Sequence, residues 1–486
     1  MTISKTFCIY PWMHQMIDTN GAIKLCCVAE DPTLPNRFGD VKEEGQAMHV
    51  DHTSLSKAWN SQYMTSVRER MISGKQVMDC GQCYRKEREG QSSFRIKANK
   101  DWEEKVNQVE QYYKSFEEEY KTVDQTSKNA MDIAKHHVED LPEYLDIRFG
   151  NLCNLKCRMC TGIYSKKFGE ELKEIADKDK EFKSIAKESA QIYNFDWHDN
   201  DNFWQELEKY LPHVRLLYLT GGEPTLVEGN YTFLRGLIDK GYAKNISLVF
   251  NTNVTNFQQR FLDTVNHFDR VTFNLSIDGV EGVQEYIRYP SKWNAIQKNM
   301  SKLMDKINAT NQDKTLEYLM KYDPQFVDIQ TANQLLNTQT SIDNNGNGTQ
   351  FSLVYTPTVN VINVGSFDKL VNWAYRFTSE NNSNKIQWDM EPIMLQGPQF
   401  QDMAWANKQY KRYALEKLQN INPDAYKVFK SLRPFVNKIK IALSKIEDKI
   451  ESKANNEQLY KWNTEIDKHR GIDIKDYIDY SDMIYE

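Results

Sequence analysis

Long hydrophobic runs are missing from this sequence of 486 residues. No apolar stretch approaches the roughly 18 residues that cross a bilayer, and the mean hydropathy is −0.71, so an integral membrane protein is not expected. A surplus of one charge sign is missing too. Lys and Arg number 62 against 68 Asp and Glu, a net charge of −6, so no global basic field draws nucleic acid or an anionic membrane. A Gly-rich phosphate loop, a serine-nucleophile motif, HExxH and any periodic repeat are all lacking, which removes the chemistries and folds they signal. The opening MTISKTFCIYPWMHQ has no basic segment followed by an apolar one. No secretion signal is expected, and a reducing cytoplasm makes disulfides a poor explanation for the cysteines. Nothing in the pattern fixes an oligomeric state.

What is present begins with size: at about 150 residues per domain, two to four domains are expected. Aromatics reach 12%, with 26 tyrosines, enough for broad, partly wet packing surfaces. The eight cysteines fall into two groups. Cys8, Cys26, Cys27, Cys80 and Cys83 lie in the first hundred residues, and Cys153, Cys157 and Cys160 sit together in LCNLKCRMC. Clusters with gaps of two or three residues are read as soft-metal ligands, because thiolates favour zinc or iron–sulfur centres. In the second group only three thiols occur within eight residues, and His136 and His137 are far upstream, so a closed four-ligand zinc site is weakened. Three thiolates on a cluster of four irons leave one iron open to a small ligand.

The setting of these cysteines carries a resemblance. EYLDIRFGN alternates Leu145, Ile147 and Phe149 as a strand does and breaks at Gly150-Asn151 into the cysteine loop. VRLLYLTGGEPTL then gives a second strand ending in Gly221, Gly222, Glu223 and Pro224. Glycines at a strand end let backbone approach a ligand, and a carboxylate beside them suits an ammonium. The C-x3-C-x2-C spacing followed by GGEP resembles the radical S-adenosylmethionine (SAM) superfamily, which implies a [4Fe–4S] cluster on Cys153, Cys157 and Cys160 and a SAM amino group at the GGEP turn. Met159 stands where that family usually has an aromatic residue framing the adenine, a departure that a polarisable side chain can accommodate.

Further β-branched or aromatic runs cover 247–253, 270–279, 351–359 and 386–393, separated by helical stretches. With the first two they make six strand–helix units over 141–400, an α/β fold resembling the family's open, six-unit partial TIM barrel with ligands at the strands' carboxyl ends. Asn251, Thr252 and Asn253 close the third strand, and Ser276 and Asp278 the fourth. There the resemblance implies contacts to the SAM ribose and carboxylate, with Arg288 as a further carboxylate partner; capping or turn roles are the plainer alternative.

In the first group, Cys8-x12-Gly21-x4-Cys26 and Cys80-x2-Cys83 resemble the SPASM and twitch auxiliary-cluster domains that accompany many radical SAM enzymes. The absence of further cysteines before the barrel favours the one-cluster twitch form, and its place ahead of the barrel departs from the usual order. Cys8, Cys26, Cys80 and Cys83 could close a second [4Fe–4S] cluster or a zinc site, with Cys27 left over.

The domains read as 1–98 for this module, 99–140 for connecting helices, 141–400 for the barrel and 401–486 for a helical extension. Trp102, Val106, Val109, Tyr113, Phe116, Tyr120 and Val123 form a helical stripe expected to lie across the barrel. Two polar insertions, 164–210 and 308–350, read as lids or solvated excursions. Ile439, Leu443, Ile446 and Ile450, with Lys438, Lys440, Lys445, Lys449 and Lys453 around them, read as a solvated amphipathic helix diluted by Glu447, Asp448 and Glu451.

The resemblance implies reductive cleavage of SAM to a 5'-deoxyadenosyl radical and hydrogen abstraction from a peptide or protein side chain, with a flavodoxin- or ferredoxin-like electron donor. A small carbohydrate- or nucleotide-derived substrate is the alternative, and a non-catalytic metal-binding scaffold is the alternative of another class.

Overall fold

The computed structural model describes residues 4–30, 39–88, 90, 92–195, 197–308, 349–383, 386–395, 397–444 and 450–485. The chain packs as two compact units, one of residues 1–150 and 195–221, the other of 151–194 and 222–486.

In the first unit, β1 (His14–Ile17) and β2 (Ile23–Lys24) form a hairpin. Its turn closes at Gly21, whose φ of +83° a side chain would resist. β1 also runs parallel to β5 (Tyr144–Ile147), which pairs in parallel with β6 (Leu216–Leu219); the short hairpin of β3 (Lys42–Glu43) and β4 (Gln46–Ala47) stands apart. The amino-terminal segment therefore supplies a strand beside β5 as well as cysteines, which its sequence does not announce. Alternation sets the faces: Leu145, Ile147, Leu217 and Leu219 are fully buried on one side, and His14, Asp18, Tyr144, Asp146 and Arg148 share the other.

Helix Glu103–Thr122 buries Val109, Tyr113 and Phe116. Its stripe meets Trp12 edge-on through Tyr113, whose hydroxyl bonds His136 Nδ1 at 3.0 Å. It is thus docked on the amino-terminal segment, where the sequence pattern pointed to the barrel. Arg68, fully buried, binds the carbonyls of Pro11, Trp59 and His136.

In the second unit, β7 (Ser247–Thr252), β8 (Arg270–Leu275), β9 (Gln350–Tyr355) and β11 (Ile386–Met390) are parallel, in the order β7-β8-β9-β11. These and the strands at 144–147 and 216–219 are the six expected from sequence, and the parallel sheet with covering helices bears out the α/β class. Phe250, Phe257, Phe261 and Phe273 pack together on the buried face. A second parallel pair joins β10 (Thr358–Val359) to β12 (Ile393–Met394).

The 164–210 insertion is not a solvated excursion. Helices Lys166–Ala176 and Lys180–Ala186 bury Leu172 together with Phe168 and Phe182, and the two phenylalanines pack with Trp462 of helix Ile450–Arg470. Of the lysine-rich carboxyl-terminal face, Ile439 and Leu443 are buried; Lys445, Ile446, Glu447, Asp448 and Lys449 lie outside the described residues, as does nearly all of the 308–350 insertion. None of the described helices is long and apolar enough to cross a membrane.

His14 is held neutral, because burial pushes its pKa down to about 3. With an unfolded pKa near 6.5, its contribution to stability is complete above that pH and drains away as pH falls towards 3, at about 1.4 kcal/mol per pH unit. Urea unfolding at pH 7 and pH 4.5 is therefore expected to show a smaller loss of stability for His14→Leu than for the wild type.

Candidate functional site

The cysteine loop begins where β5 ends. Asn151 closes it by donating from Nδ2 to the carbonyls of Gly162 (2.9 Å) and Tyr193 (3.2 Å). Ser165 caps helix Lys166–Ala176 and bonds the Leu155 carbonyl at 2.8 Å. The middle of the loop is strapped to the segment that follows helix Glu281–Ile287, with Lys156 N on Tyr289 O and Arg158 N on Ile287 O. Three thiols are thereby held in a mostly buried turn. Burial pushes the Cys153 thiol up, with Cys157 the next cause; it pushes Cys160 up to about 12, again with Cys157 next. Cys157 thus works against the ionisation of both other thiols, a donor set that calls for strong positive charge.

The GGEP turn lies against this loop. Glu223 N donates to Leu152 O at 2.8 Å, and a Cβ on Gly222 would collide with that same carbonyl oxygen. Gly221 has φ +120°, and a Cβ there would stand 2.8 Å from Gly150 O. Glu223 is 1% exposed. Its Oε1 accepts from the hydroxyls of Thr225 (2.7 Å) and Thr252 (2.9 Å), and its Oε2 accepts from Asn253 N (2.7 Å). Burial still outweighs these bonds and raises its pKa. Pro224 opens the short helical turn after it, and its carbonyl accepts from Asn230.

Asn253 bridges β7 to the cysteines: its Nδ2 donates to Asn154 Oδ1 at 2.9 Å and reaches Cys153 Sγ at 3.9 Å. Asn251 instead accepts from Asn274 of β8 at 2.8 Å. Ser276 follows β8, half-buried, its amide on Thr252 O. Asp278 receives Arg288 at both oxygens (2.6 and 3.1 Å) and Thr358 N at 2.8 Å. Arg288 Nη1 in turn reaches Cys157 Sγ at 3.9 Å. Burial opposes the guanidinium charge, but Asp278 and Cys157 outweigh it and hold the Arg288 pKa above its usual range. Met159 is half-buried in the loop between Arg158 and Cys160.

Sequence reasoning missed the residues that brace the loop from the carboxyl-terminal helix. Arg158, 1% exposed, donates to Tyr286 O and Asn463 Oδ1, pairs with Asp467 and lies over the Tyr286 ring at 3.7 Å. Arg470 binds Lys156 O at 2.8 Å and pairs with Glu171 at 2.6 Å. Partners three hundred residues apart leave no local signature.

In the first unit the thiols of Cys8, Cys26, Cys80 and Cys83 come together. Burial pushes Cys8 up to about 12, with Cys83 contributing; it raises Cys26, with Cys27, Cys80 and Cys8 contributing, and Cys80, with Cys8 and Cys83 contributing. The Cys27 thiol is also pushed up to about 12, by burial and then Asp146, with Arg148 working against this and Cys83 adding to it. The Cys8 segment is pinned by Arg95 and Asn99, both donating to Phe7 O. Among the described residues, no three His, Cys, Asp or Glu side chains close to the spacing of a single metal ion.

The Radical SAM superfamily profile matches residues 147–316, and that of SPASM, an iron–sulfur cluster-binding domain, matches 8–84. The chain is also similar to solved structures of Streptococcus suis SuiB. The form bound to precursor peptide SuiA is 12% identical, with 88% of this chain and 70% of the other covered and a TM-score of 0.31. The form bound to S-adenosylmethionine is 12% identical, with 80% and 73% covered and a TM-score of 0.26. No curated protein matches the sequence.

Gly222→Ala tests the contact between turn and loop. The added methyl meets backbone, which cannot swing aside, so a fall in the thermal midpoint of several degrees is expected, about 1–3 kcal/mol. Scanning calorimetry of the variant beside Gly236→Ala, where a methyl meets open space, measures it.

Proposed function

The chain is a radical SAM enzyme with an iron–sulfur cluster-binding SPASM domain ahead of its radical SAM domain, and on that premise we propose that it abstracts hydrogen from a peptide or protein side chain. The carrying observation is the convergence of the three-thiol loop with Glu223 and Asn253, joined by the bonds from Glu223 N to Leu152 O and from Asn253 to Asn154. Cys153, Cys157 and Cys160 would hold the [4Fe–4S] cluster. With SAM bound, that group supplies one electron and the 5'-deoxyadenosyl radical characteristic of the superfamily.

The chain's own residues set up the reaction. Gly221, Gly222 and Pro224 shape a turn that lets backbone approach the SAM amino group, and Glu223, buried and hydrogen-bonded, offers its carboxylate to that ammonium. Asn251, Asn253 and Ser276 line the strand ends towards the ribose. Asp278 orients Arg288, which brings a positive charge to Cys157 and, through its remaining N–H groups, to the SAM carboxylate. Met159 packs on the adenine. In the SPASM domain, Cys8, Cys26, Cys80 and Cys83 hold an auxiliary [4Fe–4S] cluster suited to electron transfer, and Cys27 stands outside it.

A SPASM domain supports the peptide reading, since such domains accompany peptide-modifying enzymes. We assign residues 1–98 to the auxiliary module, 99–140 to connecting helices, 141–400 to the radical SAM partial barrel and 401–486 to the helical extension. A flavodoxin- or ferredoxin-like protein is the electron donor, and a reducing cytoplasm suits eight unpaired thiols.

The test is anaerobic reconstitution with assays of iron, sulfide and, after reductant and SAM, 5'-deoxyadenosine. Cys157→Ala is expected to abolish cleavage while leaving the iron of the amino-terminal cluster. Continued cleavage in that variant overturns the assignment. Cys26→Ser is expected to remove the auxiliary cluster's iron, and Cys27→Ser to spare it.

A further inference from the structure

We infer that Arg470, the last residue of helix Ile450–Arg470, is a positioning residue of the SAM-binding centre: it ties down the backbone ahead of Cys157 and adds a buried guanidinium on that side of the cluster. This inference rests on the ligand assignment above and extends it to a part of the chain that neither family profile covers.

Its first support is the bracing itself. Arg470 Nη2 donates to Lys156 O at 2.8 Å, one residue before Cys157. One helical turn earlier, Asp467 pairs with Arg158, one residue after Cys157, while Asn463 accepts from the same guanidinium at 3.1 Å. The helix therefore grips the loop on both sides of its middle cysteine. Tyr289, whose carbonyl accepts from Lys156 N, also presents its ring to Arg470 at 4.5 Å.

Charge is the second support. Arg288 is matched by Asp278, and Arg158 by Asp467. Glu171 alone faces two cations, Arg470 at 2.6 Å and Lys156 at 3.3 Å. Burial works to raise the Glu171 pKa, but these partners hold it below the ordinary range, so it is ionised. The Cys157 flank is thus left with one positive charge in excess. The Arg470 side chain is 1% exposed, and its Nη1 has no hydrogen-bond partner among the described residues. An orphaned, buried N–H on a cation is costly unless an acceptor or an anion compensates it. A cation there favours the more negative, reduced state of a thiolate-bound cluster.

The test uses the full reconstituted chain and an EPR-monitored redox titration of the cluster whose signal responds to SAM. In Arg470→Gln the reduced-to-oxidised ratio at a fixed potential is expected to fall about tenfold, equivalent to 59 mV for a one-electron couple. Arg470→Lys, which keeps the charge, is expected to recover most of that fall. An unchanged ratio in Arg470→Gln overturns the inference. If Arg470→Gln does not fold, Asp467→Asn decides: altered g-values in the SAM-bound cluster support the grip of the helix on the loop, and a spectrum identical to wild type overturns it. A wild-type chain with no SAM-responsive signal defeats the ligand assignment itself, whereas a wild-type signal matched by every variant defeats only the role of Arg470.

Discussion

Three thiols in one short loop, buried and within each other's field, cannot ionise by themselves. Burial favours the protonated form of all three, and Cys157 adds to it at Cys153 and Cys160, so the loop suits a positively charged inorganic core. The rest of the second unit follows from that constraint. Cations stand beside Cys157, an amide N–H points at Cys153, and the GGEP turn lies so close that only a residue without a side chain fits at 222. The polar groups at the strand ends face this charge problem rather than merely terminating strands.

The same electrostatic logic recurs in the first unit with different parts. Cys8, Cys26, Cys80 and Cys83 come from three distant stretches, and what holds them is not one loop but tertiary bonds: Arg95 and Asn99 on Phe7 O, and Glu30 N on Asp79 O. Cys27, adjacent to Cys26 in sequence, feels Asp146 and Arg148 ahead of Cys83. A turn begins at this pair, with Ala29 N on Cys26 O, and it gives the neighbouring thiols different surroundings.

Much of this was legible in the sequence, because it depends on short-range pattern. Alternation in SLVFNT and RVTFNL marked strands that alternate in burial, and the spacing of Cys153, Cys157, Cys160 and the GGEP residues marked segments that do meet. Whatever depended on distant partners was not legible. Nothing in FCIYPWMHQMI says that His14–Ile17 will pair with Tyr144–Ile147. The polar look of 164–186 concealed Phe168 and Phe182, which become core only once Trp462 arrives. Asp278 and Arg288 were each expected to meet a ligand; their pairing with one another is a matter of three-dimensional reach.

The grip of residues 463–470 on the cysteine loop also bears on the order in which the molecule is completed. During synthesis the loop emerges some three hundred residues before the helix that braces it. A nascent chain would therefore expose the thiols of 153–160 with their guanidinium and carbonyl partners still missing, and metallocentre assembly falls naturally after residues 450–470 have emerged. A copy that lost helix Ile450–Arg470 would retain every proposed iron ligand and still lack the frame that keeps them in place.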